Sequence, residues 1–473
     1  MKKILLLAAL VVLGGTLCFA QNHSSKESCK GKDTCNKEAQ KKESCCNRNR
    51  GKDANKKCSC KSILDVNRQG SFGAPVINSS SKISHVLGTF PGEENVKYAT
   101  NILPGATDIN SYLPLLKGKK VCILSNQTGI IKPGVHVLDT LLSLGVNVTC
   151  IMSPEHGFRG DADAGEHVSS SKDPKTGIPI KSLYEGNSKK PAKEVMDSFD
   201  VLVFDLQDVG VRFYTYYITM ANMMAACAED NKEFIVLDRP NPVGFYTDGP
   251  ILDMKYKSGV GGLPIPIVYG MTMGELAQMI NGENWLKYSS TAADGKKVKL
   301  TVIKNRNYEH SMLYRLPVKP SPNLPDMHAI YLYPSVCYFE ATPVSLGRGT
   351  DKAFEMYGHP NMLGYKFSFI PRSIPGAKTP PQLNKVCHGV DLRTTPSIDE
   401  INTKGIDLSY IIDAYKNLNL DDHFFSPFFE LEIGQSYVRK MIKEGKSADE
   451  IKAMWKDDVE KFKKQRAPYM LYK

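Results

Sequence analysis

Residues 149–160, Thr-Cys-Ile-Met-Ser-Pro-Glu-His-Gly-Phe-Arg-Gly, bring an apolar run ending at Ile151-Met152 directly up to Glu155, His156 and Arg159. An acid beside an apolar neighbour such as Phe158 has the surroundings that lift a carboxyl towards neutrality, so Glu155 is the candidate general acid. His156 is placed to orient that acid or to bind a hydroxyl, and Arg159 offers a planar fork that fits a carboxylate. Two more apolar runs end in the same manner. Val201-Leu-Val-Phe204 leads into Asp205-Leu-Gln-Asp208-Val-Gly-Val-Arg212-Phe-Tyr214, and Phe234-Ile-Val-Leu237 leads into Asp238-Arg239-Pro-Asn241. Asp208 is read as a second catalytic carboxylate, with Asp205, Arg212, Tyr214, Asp238, Arg239 and Asn241 as substrate contacts. The plainer roles are a helix cap for Asp205 or Asp208, since a helix is expected from about Val211, and a salt-bridged turn for Asp238 with Arg239.

These groups need a frame that lines them up, and the hydrophobic pattern supplies one. Val121-Cys-Ile-Leu124 reads as a strand ending at Ser125-Asn-Gln-Thr-Gly129, and Val137, Leu138, Leu141, Leu142 and Leu144 share one helical stripe stopped by Gly145. With the strand from Asn147 to Met152 this makes a βαβ unit. Unbroken apolar strands belong to a parallel sheet covered on both faces, and ligands of such sheets bind outside the carboxyl ends of the strands. Phe213, Tyr217, Met220, Met224 and Cys227 recur at helical spacing and read as core. The expected fold is α/β, a Rossmann-like, mainly parallel sheet domain over 86–305 with a second, smaller α+β C-terminal domain over 306–473. Ser447-Ala-Asp-Glu450 is a capping box opening a terminal helix whose Ile451, Trp455, Val459 and Phe462 face the core.

The N-terminal region is of another kind. Met1-Lys2-Lys3 followed by the apolar stretch Ile4–Leu17 and Cys18-Phe-Ala20 is laid out as a secretory signal over 1–20, so the chain is expected to be exported and periplasmic, or lipid-anchored through Cys18. Residues 21–62 hold six of the twelve cysteines and carry twelve basic residues against five acidic ones, so most of the formal charge of +11 belongs to them. With so little apolar content, 21–85 reads as a Cys-rich basic tail and linker. The basic balance therefore implies no nucleic-acid partner for the folded part. No later run is long enough for a transmembrane segment. No Gly-x-Gly-x-x-Gly or P-loop follows any strand, so no nucleotide cofactor is expected, and the scattered His and Cys residues predict no metal. The absence of a Gly-x-Ser-x-Gly elbow weighs against an esterase.

The motifs Ser153-Pro-Glu-His-Gly-Phe-Arg-Gly160, Asp205-Leu-Gln-Asp-Val-Gly-Val-Arg-Phe-Tyr-Thr-Tyr216, Leu237-Asp-Arg-Pro-Asn-Pro242 and Gly347-Arg-Gly-Thr350 occur in one order along the chain. Over roughly residues 100–473 the sequence resembles the exo-β-N-acetylmuramidase family of bacterial cell-wall recycling, the NamZ type. The resemblance implies a glycosidase releasing N-acetylmuramic acid from the non-reducing end of peptidoglycan fragments. Its partners would be muropeptides or MurNAc-GlcNAc saccharides held in a cleft between the two domains. It also draws Glu340 and Arg348 into the set of substrate contacts. A departure from the pattern stands at Leu346, where the family often has Glu, and at Ala341, where it often has Gly. A non-catalytic peptidoglycan-binding protein on the same fold is the alternative. Muramic acid bears a lactyl carboxylate, for which Arg159, Arg212, Arg239 and Arg348 are the available forks.

Overall fold

The computed structural model describes residues 84–154, 158, 171–183 and 190–473. Residues 1–20, expected to be a signal sequence, the Cys-rich segment 21–62, Glu155, His156 and Arg159 lie outside the described residues.

The strands in chain order are β1 (Val121–Ser125), β2 (Ile130–Lys132), β3 (Val135–His136), β4 (Val148–Ser153), β5 (Ser171–Lys172), β6 (Pro179–Ser182), β7 (Val201–Asp205), β8 (Glu233–Leu237), β9 (Lys299–Ile303), β10 (Met356–His359), β11 (Phe367–Phe369) and β12 (Cys387–Asp391). Seven of them form one sheet in the order β5-β6-β4-β1-β7-β8-β9. All pairs in it are parallel except β5 with β6. The apolar runs therefore end along one edge, because parallel strands all carry their C-termini to the same side.

The side chains of these strands alternate between two cores, as the pleat requires. Val121, Ile123, Ile151, Val201, Val203, Ile235 and Leu237 pack beneath the helices Ile109–Leu116 and Val137–Ser143. Cys122, Leu124, Cys150, Met152, Leu202, Phe204, Phe234 and Val236 pack on the other face with Tyr217, Met220, Met224 and Cys227 of the helix Tyr216–Glu229. That second core continues without a break into Leu332, Tyr338, Phe429, Trp455 and Phe462. The expected C-terminal domain thus has its small antiparallel sheet, β10-β12-β11, and its helices, but it shares a core with the large sheet. The end of the chain returns to that sheet, where Tyr472 donates to Asp238 Oδ2 at 2.7 Å.

The helix expected from Val211 begins at Tyr216. Val211 instead pairs with Val268 as an isolated β-bridge, and the Arg212 N–H donates to Ile267 O at 2.8 Å. The capping box at Ser447 is present, while its helix breaks at Met454-Trp455 into Ala448–Ala453 and Lys456–Arg466. Ile451, Trp455, Val459 and Phe462 are all buried.

Candidate active site

At the end of β1, Asn126 Oδ1 accepts from the Thr128 N–H at 2.9 Å and from Thr128 Oγ1 at 2.6 Å, which folds the loop back on itself. Thr128 Oγ1 in turn accepts the Gln207 N–H at 3.0 Å, tying the β1 loop to the β7 loop. Ser125 Oγ donates to Asp205 O at 2.8 Å across the same pair of strands. This packing has no room for a side chain at Gly129, where a Cβ would stand 2.1 Å from Ser125 Oγ. β4 ends in Ser153, whose Oγ is buried without a partner among the described residues. Phe158 is buried against His136, edge to face at 5.2 Å.

Ser125 and His136 lie 3.4 Å apart, the spacing of a nucleophile and its base, yet the hydrogens are arranged otherwise. His136 Nδ1 accepts the Leu138 N–H at 3.1 Å, so Nε2 carries the ring hydrogen and donates it to Asn126 O at 2.7 Å. A protonated Nε2 cannot take the hydrogen of Ser125, and the esterase reading loses its base.

The acids and arginines after β7 and β8 divide into two kinds. Asp205 and Arg239 form a buried two-point ion pair, Nε to Oδ1 at 2.6 Å and Nη2 to Oδ2 at 3.0 Å, and Nη2 also donates to Ile130 O at 3.0 Å. The plainer role for Asp238 and Arg239 is a salt bridge to one another in a turn. Asp238 instead accepts from Thr272 Oγ1 at 2.7 Å and the Gly274 N–H at 2.8 Å, as well as from Tyr472. It therefore anchors the first turn of the helix Met273–Gly282. Burial pushes its carboxyl up to about 6 against the pull of those three donors. Arg212 is wholly buried, with Nη1 on Pro250 O and Ile265 O and Nη2 on Glu432 O and Ile433 O, all within 2.9 Å. Both terminal nitrogens are committed to four carbonyls, so although Nε–H has no partner among the described residues, the two-point fork is taken up, which makes Arg212 a clamp between distant segments. Asn241 is also turned inward, donating to Met271 O at 2.9 Å and accepting the Val243 N–H at 2.9 Å. Tyr214 donates to Pro320 O at 2.7 Å and so holds the β7 loop to the segment above it.

Asp208 is the other kind. Its Oδ1 accepts from Tyr269 Oη at 2.5 Å and from the Gly210 N–H at 2.7 Å, a tight turn that places Gly210 at φ 74° against the Asn241 side chain. The expected cap on a helix is thus a local turn. Its Oδ2 has no partner among the described residues. Burial pushes the carboxyl up to about 7, opposed by Tyr269 and by the N–H groups of Gly210 and Val209. Asp208 lines a small depression with Gln207, Gly210, Arg239, Pro240, Asn241, Met271, Thr272 and Met273. Gln207 Oε1 and Arg239 Nη1 are likewise buried and unpartnered among the described residues. A free carboxyl oxygen poised near neutrality beside a free guanidinium N–H is an arrangement for proton transfer or for holding a polar group. Tyr269 and Gln207 were not among the expected site residues. Tyr269 carries no local signal of its role, since its partner is 61 positions away in sequence.

Glu340 and Arg348 meet on the other half of the molecule, with Arg348 Nε 2.9 Å from Glu340 Oε1 and Nη2 bonded to the same oxygen. Both keep about a quarter of their side-chain surface exposed, 28% for Glu340 and 21% for Arg348. The guanidinium lies over Phe354, at 5.0 Å, and Phe354, Tyr333 and Phe213 form a chain of edge-to-face rings leading back to the β7 loop. Leu346, where the family pattern often has an acid, is buried in the core. Among the described residues one group has the side chains of a metal site, Cys337, Glu340 and Glu432, with ligand atoms within 4.8 Å of one another. Arg348 already supplies a cation to that Glu340, while burial holds the Glu432 carboxyl far above the usual range and leaves its Oε2 without a partner among the described residues.

A parallel sheet with polar groups gathered at its carboxyl edge, and no nucleotide motif, defines an α/β enzyme of the Rossmann-like class. Comparison with known proteins makes the class specific. The models of exo-β-N-acetylmuramidase NamZ match residues 121–328 with their N-terminal part and 331–472 with their C-terminal part. The chain belongs to this family. It is 38% identical over 390 residues to the peptidoglycan β-N-acetylmuramidase NamZ of Bacillus subtilis, a match covering 77% of this chain and 91% of the relative. Two crystal structures of DUF1343-family proteins from Bacteroides fragilis share the fold. One is 58% identical with a TM-score of 0.73 and covers 79% of this chain and 99% of its own, and the other is 29% identical with a TM-score of 0.65 and covers 79% and 100%.

Proposed function

We propose that the protein is an exo-acting β-N-acetylmuramidase that releases N-acetylmuramic acid from the non-reducing end of peptidoglycan fragments, with Glu155 as general acid. Family membership over both halves of the chain carries this reading. Glycoside cleavage needs a proton for the leaving oxygen and a second group acting on the sugar. Glu155, two positions after the end of β4 in the sequence, delivers the proton. Asp208 is the second carboxyl, its free Oδ2 acting on the sugar or orienting the 2-acetamido group. The Arg239 N–H left over from its pair with Asp205 donates to a substrate oxygen. Arg348, partly exposed and backed by Glu340 and Phe354, receives the lactyl carboxylate together with Arg159, and His156 orients Glu155. The apolar leader of the sequence supports export, with the enzyme acting in the periplasm or held there through Cys18.

The test is incubation of the purified mature chain with a MurNAc-GlcNAc disaccharide, without nucleotide and in EDTA. Free N-acetylmuramic acid is the expected product. Binding of the disaccharide with no cleavage would instead make this a peptidoglycan-binding protein on the same fold.

A further inference from the structure

Cys122 on β1 and Cys150 on β4 are direct partners in the parallel ladder. Register partners point to the same face, and both thiols enter the same core, buried, with Sγ 2.8 Å from Sγ. Unbonded carbon atoms settle at about 3.5–4.0 Å and sulfur is larger than carbon, so the two sulfurs sit closer than two separate thiols rest. Adjacent strands are about 4.8 Å apart, within the Cα separation of about 4.4–6.8 Å that a disulfide bridges.

We propose that Cys122 and Cys150 form a disulfide across β1 and β4 in the mature protein. The oxidant is a small-molecule disulfide or the disulfide of a thiol oxidoreductase, met during folding while the thiols are still reachable. One cysteine attacks that disulfide and releases one thiol of the oxidant. The second cysteine then displaces the other. Two protein thiols become one disulfide and the oxidant becomes two thiols, each taking up one of the hydrogens lost. Export of the chain, read from its leader, would bring it into a compartment where such bonds persist. The bond fastens the two strands whose ends carry Asn126 and Ser153. It stands independently of the glycosidase reading, since it rests on the sheet alone.

The full chain is refolded in a mixture of a small thiol and its disulfide, unfolded in an alkylating denaturant and cleaved with trypsin. Both cysteines fall in the peptide 121–159, which stays whole because Lys132 precedes Pro133. The expected peptide carries no alkyl group and is two hydrogens lighter than its reduced form. Reductant should also lower the melting temperature of the wild type by several degrees and leave that of Cys122→Ala unmoved. Two alkylated cysteines in a refolded sample with the native melting transition, or either cysteine joined to one of those in 21–62, would overturn the proposal.

Discussion

Tyr269 donates its phenolic hydrogen to Asp208 Oδ1 at 2.5 Å, and this bond is the strongest pull on an otherwise desolvated carboxyl. Burial raises Asp208 and Tyr269 lowers it, so removing the hydroxyl must raise it further. A hydrogen bond is worth about 0.5–1.5 kcal/mol net, so Tyr269→Phe should move the Asp208 inflection in the pH–rate profile up by about half to one pH unit. An unmoved profile would mean that Asp208 does not govern the rate.

Stability should carry the same signature. Asp208 rises from an ordinary 3.8 to about 7 on folding, equivalent to about 4 kcal/mol. The folded state holds the proton more tightly, so this stabilisation is complete below pH ~4 and is lost as pH rises through about 7. Asp208→Asn has no such proton. Urea unfolding of both chains at the two ends of that window should show the wild type losing stability relative to the variant as pH rises. An equal difference at both ends would show that Asp208 is ionised in the folded protein.

The buried pair of Asp205 with Arg239 predicts a large penalty for removing one side only. Arg239→Met leaves a carboxylate stranded with no exposure and should cost about 3–5 kcal/mol in unfolding free energy. The double variant Asp205→Leu with Arg239→Met should recover part of that loss. If Arg239→Met alone is as stable as the wild type, the pair does not hold the β7 and β8 ends together.

Glu155→Gln should keep the fold and most of the substrate affinity, and lose about 10²–10⁴-fold in rate on a natural disaccharide, since an amide gives up no proton. An aryl muramide whose leaving group departs without protonation should suffer a smaller loss where formation of the glycosyl intermediate limits the rate. Near wild-type turnover of the natural substrate would remove Glu155 as the acid.

Deleting residues 21–62 should leave turnover and melting temperature nearly unchanged, because the segment has too few apolar residues to add to a core. Thermal unfolding and rate measurements on the shortened chain decide this.

The parallel sheet was legible in the sequence because strands covered on both faces are continuously apolar, and Val121–Leu124, Val201–Phe204 and Phe234–Leu237 each stop sharply at polar residues. The same stops located the edge at which Asp205, Asp208, Asp238 and Arg239 gather. What each of these does there was decided only by the tertiary structure. Asp205 and Asp208 stand three positions apart at the end of β7, yet one meets Arg239 from just beyond the next strand and the other meets Tyr269 from a distant segment. Arg212 belonged by motif to the substrate forks, and its four carbonyl partners come from Pro250, Ile265, Glu432 and Ile433. Periodicity reports which face of an element is buried, because that depends on neighbours along the chain. The partner of a buried polar group is set by whichever segment the fold brings to it, and desolvation leaves the ionised and neutral outcomes a few kcal/mol apart on that choice alone.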